Sequence, residues 1–141
     1  MEDKYNLERF TEAQESSYDT AFNEIKNGYK ESHWMWYIFP QIAGLGNSEM
    51  NRFYSISTLA EAEAYLHHPI LGRRLIDICT VLTESDIADA KEIFGFPDYL
   101  KFQSCLTLFS MTENCPPIFE VLLKKYFNNR KDKNTLSIMG Y

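Results

Sequence analysis

The segment His33-Trp34-Met35-Trp36-Tyr37-Ile38-Phe39-Pro40-Gln41 places both tryptophans of the chain beside one of its three histidines and two further aromatics. An imidazole titrating near neutrality can act as acid, base or ligand hydrogen-bond partner. Indole and phenol rings offer flat apolar faces with an N–H or O–H handle, which suits a nucleobase or a sugar ring. The same string also suits an aromatic core whose polar tips are hydrogen-bonded, with His33 satisfied by a backbone carbonyl. At helical spacing Trp34 and Tyr37 share one face and Trp36 points elsewhere, so at least one indole must face the interior.

Two further clusters can add charge or hydrogen bonds. Gln41 leads into Gly44-Leu45-Gly46-Asn47-Ser48, where backbone N–H groups can meet an anion and Ser48 can start a helix. That pattern lacks the lysine of a phosphate-binding loop, and no strong strand precedes it, so a tight turn with an N-cap explains it equally well. His68, Gly72, Arg73 and Arg74 form the second cluster. Arg74 lies three residues after Leu71 and four before Ile78, on or near an apolar stripe, and its guanidinium needs an anionic partner. Asp98 or Glu61 can provide it as an ion pair; a bound anion is the alternative. Lys101 and Ser104 share a helix face and can join the same site. Cys79, Cys105 and Cys115 show no Cys–His context for nucleophilic catalysis and no metal-ligand spacing, so no metal or cofactor is expected.

Helices must position these groups. Leu7, Phe10, Gln14, Tyr18, Ala21, Phe22, Ile25 and Tyr29 recur at three- and four-residue steps, which predicts one amphipathic helix capped by Asn6 and closed by Gly28. The aromatic run predicts a short buried helix after Ser32, stopped by Pro40; a strand is the alternative, since aromatics favour strands too. Ser48 caps a turn through Tyr54. Thr58-Leu59-Ala60-Glu61 is a capping box opening a helix to about His67. Pro69 begins the next, with the stripe Leu71, Leu75, Ile78 and Leu82. Ser85 or Asp86 starts a short helix ended by Gly95, Pro97 opens another, and Cys115-Pro116-Pro117 breaks before a last long helix. One further turn can end at Gly140. The expectation is an all-α, compact multihelical single domain over residues 1–141, with six to eight short helices.

Composition narrows the partners. The chain has 141 residues, 45% hydrophobic, 15% aromatic and 24% charged, which fits one soluble globular domain. A formal net charge of -6 disfavours nucleic acid and anionic lipid surfaces. The start, Met1-Glu2-Asp3-Lys4, carries no apolar leader, and no apolar run approaches a membrane span of about 20 residues. Three widely spaced cysteines read as free thiols of a reducing, cytoplasmic compartment.

The order of motifs resembles a known family. The matching stretches are Arg9-Phe10 with Ala13-Gln14, the run Ser32 to Gln41, and Gly44-Leu45-Gly46 with Ser48. They continue through Glu61-Ala62, Ala64-Tyr65-Leu66, His68-Pro69-Ile70-Leu71-Gly72 with Arg74-Leu75, Phe94-Gly95 with Pro97-Asp98, Lys101-Phe102 with Ser104, and Thr107-Leu108-Phe109. On these residues the chain resembles the bacterial family of unknown function DUF1810, whose members often carry the label calpastatin. The resemblance implies a compact, mostly helical single domain and assigns no catalytic residues. The calpastatin label finds no support, because an inhibitor of that type would be long, disordered and repetitive.

Two functions compete. The first is a small-molecule-binding domain, an enzyme or not, for a nucleotide- or ADP-ribose-like ligand. Its aromatic-plus-basic pocket would draw on His33, Trp34, Trp36, Tyr37, Gln41, Gly44, Gly46, Ser48, His68, Arg74, Lys101 and Ser104. Its helical character is similar, by analogy of folds and sites alone, to ADP-ribose-processing domains of the NADAR type. N-glycosidic bond hydrolysis is compatible with these parts, though they include no identified general base. The second is a protein-interaction module using a partly solvent-facing aromatic patch.

Overall fold

The computed structural model describes residues 3–141; the acidic start read at Met1 and Glu2 lies outside them. Among the described residues there are ten helices. They are α1 (Glu8–Glu15), α2 (Tyr18–Lys26), α3 (Met35–Ile38), α4 (Glu49–Tyr54), α5 (Leu59–His67), α6 (Leu71–Glu84), α7 (Ala90–Phe94), α8 (Asp98–Ser110), α9 (Ile118–Phe127) and α10 (Lys133–Ile138). The all-α expectation holds, and the helix count exceeds six to eight because one long expected helix is two and the turns expected after Ser48 and before Gly140 are helices, α4 and α10. α1 and α2 break at Ser16-Ser17, where the Ser17 N–H returns to the Gln14 carbonyl at 3.2 Å. Serine is a poor helix former that competes for backbone groups. The two halves also serve different partners: α1 packs on α3, and α2 on α6.

Several ends follow the sequence signals. Ser48 accepts from Asn51 N at 3.1 Å, and Thr58 from Glu61 N at 3.1 Å. Gly28 takes left-handed backbone after α2, and Gly95 closes α7 at positive φ, as expected. Two caps differ. Asn6 does not cap α1; the Asp3 carboxylate does, accepting from Leu7 N at 2.8 Å and Glu8 N at 2.9 Å. An ionised carboxylate is the stronger partner for a helix start. α7 is capped by Asp89, accepting from Lys91 N at 2.9 Å, rather than by Ser85 or Asp86.

α8 runs through the centre, packed by α5, α7, α9 and α10. From Phe102 to Ser110 all but Gln103 are buried, so this helix is enclosed on every side rather than two-faced. Its hydroxyls survive there by bonding backwards: Ser104 to Leu100 O, Thr107 to Gln103 O and Ser110 to Thr107 O. Phe102 meets Phe39 edge-on at 5.2 Å between ring centres and stacks on Phe94 at 4.5 Å. The aromatic segment thus reaches the core through Phe39. Among the described residues, no helix is long and apolar enough to cross a membrane.

The segment that positions the candidate site is short. α3 ends before Phe39, Pro40 stops it, and Gln41 and Ile42 then pair with Ile56. Ile56 N donates to Gln41 O at 2.8 Å, and Ala43 N donates to Ile56 O at 2.8 Å. Among the described residues this isolated parallel bridge lies just past the His33–Phe39 run, which forms the helix α3 and not the alternative strand. It pins both ends of an excursion, residues 43–55, that carries the glycine turn and α4. α4 buries no residue of its own.

Candidate functional site

The two tryptophans face opposite environments. Trp34 is 1% exposed and donates its indole N–H to Glu24 Oε1 at 2.9 Å. That carboxylate also accepts from Glu31 N, Ser32 N and the Ser32 hydroxyl at 2.8, 2.9 and 2.6 Å. Burial alone would raise the Glu24 carboxyl, yet the four donors outweigh it and hold the group down at about 2. Trp36 is only partly buried and borders a notch with Gln41, Asn51, Tyr54 and Ser55.

Each tryptophan carries a lysine on its face, and one carboxylate joins the two lysines. Lys30 Nζ lies 5.0 Å from the centre of the Trp34 ring, and Lys101 Nζ 5.3 Å from that of Trp36. Asp98, at the start of α8, contacts Lys30 at 2.7 Å and Lys101 at 3.5 Å. Two ammonium groups on one carboxylate leave this trio with one surplus positive charge beside Trp36.

The notch is unlike the rest of the interior. Every fully buried side-chain nitrogen or oxygen among the described residues has a hydrogen-bond partner. The indole N–H of Trp36, the amides of Gln41 and Asn51 and the Tyr54 hydroxyl have none among the described residues. Their polar atoms are therefore open to solvent rather than buried, on residues that border the notch. Gln41 is the telling case, because the residue is only 7% exposed. The notch itself has a volume of about 10 Å³, room for one water molecule.

The remaining expected site residues divide. His33, Trp34 and Tyr37 border a separate hollow of about 230 Å³ with hydroxyls from Ser16, Ser17 and Thr20. There Tyr37 donates to the Ser17 hydroxyl oxygen at 3.1 Å. Gly46 backs the Asn51 amide. Gly44, in left-handed backbone, faces Ile138, and Ser48 is spent as a cap. His68 accepts from Ile70 N and Leu71 N at 3.1 and 3.2 Å and so serves the start of α6, away from the notch. Ser104 is buried and turned onto Leu100 O at 3.1 Å, so it does not join Lys101.

Arg74 corrects its expectation most plainly. It pairs with neither Asp98 nor Glu61. Its guanidinium lies over the Tyr18 ring at 5.2 Å and reaches Gln14 Oε1 at 3.4 Å, and Gln14 in turn donates to Tyr37 O at 2.7 Å. The reason is prior occupation: Lys30 and Lys101 take Asp98, and Arg9 takes Glu61 at 2.7 Å.

Sequence reasoning missed Asn51, Tyr54 and Arg9. Nothing in the α4 sequence marks Asn51 as facing Trp36, since its position depends on the bridge at Ile42 and Ile56. Arg9 is 8% exposed in its side chain and uses all its donors. They go to Tyr5 O, Asn6 O, Phe53 O, Ser55 O and Glu61 Oε2. A lone arginine in an otherwise amphipathic first helix was the available signal.

The thiols are poor nucleophiles. Burial pushes both Cys79 and Cys105 well above the ordinary thiol range. Among the described residues, no group of three His, Cys, Asp or Glu side chains is placed to hold a metal.

Comparison with known proteins adds fold and family. The chain is similar to the conserved hypothetical protein Rv1873 from Mycobacterium tuberculosis, a crystal structure, with 39% identity over 99% of each chain and a TM-score of 0.96. A search of curated proteins finds no match. The family model described as protein of unknown function DUF1810 matches residues 4–139. With nearly every residue inside that match, the chain belongs to the DUF1810 family.

Proposed function

We propose that this protein is a small-molecule-binding domain for a nucleotide- or ADP-ribose-like ligand, seated at the Trp36 notch. The observation that carries the reading is the set of unpaired polar groups on Trp36, Gln41, Asn51 and Tyr54 around one opening. A folded chain pairs its buried polar groups because leaving them unmade is costly. The four groups escape that cost by facing solvent, where a ligand can replace their water with its own polar atoms. The partly exposed Trp36 face offers a surface for a ring, and the surplus charge at Lys101 and Lys30 offers a counterion for phosphate.

A thermal-shift series with AMP, ADP, ADP-ribose, NAD and inorganic phosphate tests it. Stabilisation by ligands that combine ring and phosphate, lost in Trp36→Ala while the fold stays intact, is the expected result. A series in which no such ligand raises the melting temperature overturns the reading.

A protein-interaction role rests on different residues from those expected. Trp34 is enclosed, whereas Phe96 is 71% and Leu100 40% exposed at the head of α8. Loss of self-association in Phe96→Ser, read by light scattering, would favour that reading. The free thiols Cys79, Cys105 and Cys115 fit a reducing, cytoplasmic setting, which a fluorescent fusion in cells would test.

A further inference from the structure

We infer that the ligand of the Trp36 notch carries a flat ring with a hydrogen-bond donor and acceptor side by side, and that Gln41 reads that edge. The inference rests on the small-molecule reading above and narrows it.

The Gln41 backbone is fixed beside the notch. Its carbonyl accepts from Ile56 N at 2.8 Å, and the next residue is bridged to Ile56. The residue is 7% exposed, borders the notch, and its side-chain amide has no partner among the described residues. A carboxamide presents one acceptor oxygen and one donor nitrogen at fixed separation. A phosphate has acceptors alone, and an aliphatic group has neither, so each leaves half of the amide unmet. The amino-and-nitrogen edge of an aminopurine satisfies both halves, as amide side chains do when they read adenine. The ring would lie by the Trp36 indole, with a phosphate within reach of Lys101.

The notch of about 10 Å³ admits a water and no ring, so one wall must move. The near wall is fixed by the Ile42 bridge and by Phe39, which is fully buried. The far wall is α4, which buries no residue and presents Asn51. Arg9 ties the C-terminal end of this segment through Phe53 O and Ser55 O at 2.9 Å each. The stretch left to open for a ring is thereby residues 44–52, between the left-handed Gly44 and the Arg9 anchor.

Equilibrium binding to the full chain decides the matter with three probes. They are AMP, purine riboside 5′-monophosphate, which lacks the amino donor, and ribose 5-phosphate, which lacks the ring. AMP is expected to bind about tenfold more tightly than the purine analogue, the size of one unreplaced hydrogen bond. Gln41→Leu should bring the two level. Hydrogen exchange should slow within residues 44–52 on adding AMP. Equal affinity for AMP and the purine analogue, or for AMP and ribose 5-phosphate, overturns this inference while leaving a nucleotide or phosphate site standing. Protection confined to other segments overturns the placement at Trp36. No binding of any of the three removes both this inference and the function it rests on. Should Gln41→Leu fail to fold, the comparison of ligands on the unaltered protein is decisive by itself.

Discussion

Trp34 donates its indole N–H to Glu24 across ten residues of chain, at 2.9 Å, and both groups are buried. The bond fixes the start of the aromatic segment to α2. It also makes Glu24 a titrating stability element. Its carboxyl is held at about 2, below the ordinary 4.5. The stabilisation is therefore fully present above about pH 4.5 and is lost as pH falls toward 2. With allowance for screening it is on the order of 2 kcal/mol. Glu24→Gln should lose about that much at pH 7 and show a flatter decline between pH 4.5 and 2, measured by urea melts. An unchanged acid profile in the variant would assign the acid sensitivity to another group.

Arg9 supplies the second prediction. Its side chain satisfies four backbone carbonyls and the buried Glu61 carboxylate, which on its other oxygen accepts from Ser57 N at 3.0 Å. Truncation strands both the carboxylate and the carbonyls. Arg9→Ala should cost about 3–5 kcal/mol. Arg9→Lys should recover little, because a single ammonium cannot span a forked set of acceptors. Full recovery by lysine in chemical denaturation would show that charge alone, not the fork, holds residues 53–55.

The helical class, the stop at Pro40 and the caps at Ser48 and Thr58 were legible because each depends on neighbours within four residues. The break at Ser16-Ser17 was not, because the apolar stripe of α1 continues in register into α2 and only the partners change. The site divided for a similar reason. Trp36 and Gln41 fall together because five residues of local chain fix their relation. Lys101 lies over the Trp36 ring by a tertiary contact that no spacing encodes, and Asp98, its neighbour three residues back, adds Lys30 to make a triangle. Arg74 looked like a site residue because an inward guanidinium needs an acceptor; it finds a neutral amide and a phenol ring instead.

That triangle separates two lysines of the same type. Lys30 has 7% of its side chain exposed, contacts Asp98 at 2.7 Å and donates to Ser32 O at 2.6 Å. Lys101 has 24% exposed and lies 3.5 Å from Asp98. Lys30→Met should cost about 3 kcal/mol, since it leaves a partly buried carboxylate and a carbonyl short of a partner. Lys101→Met should stay within about 1 kcal/mol, as for exposed pairs. The ligand effect should be reversed in order: Lys101→Met weakens binding of phosphate-bearing ligands and their salt dependence while the protein stays folded. Equal destabilisation by both substitutions in parallel thermal melts would show that Lys101 is structural.

Two glycines give a last contrast, one of packing and one of site. A methyl group at Gly72 would fall on the Leu66 carbonyl oxygen and its carbon, backbone atoms that cannot step aside. At Gly72 α6 packs directly on the Leu66 backbone of α5, so Gly72→Ala must push the two helices apart, at about 3 kcal/mol. A methyl at Gly46 instead meets the Asn51 amide, the far end of a side chain. Gly46 has no left-handed requirement, so its alanine can form by displacing that amide. Gly46→Ala should therefore stay within about 1 kcal/mol of the parent, yet move Asn51 at the notch and change ligand affinity by severalfold. Circular dichroism melts and AMP titration on the two variants separate these effects. A Gly46→Ala protein with parental stability and parental affinity would place Asn51 outside the binding reaction and leave Gln41 to read the ring alone.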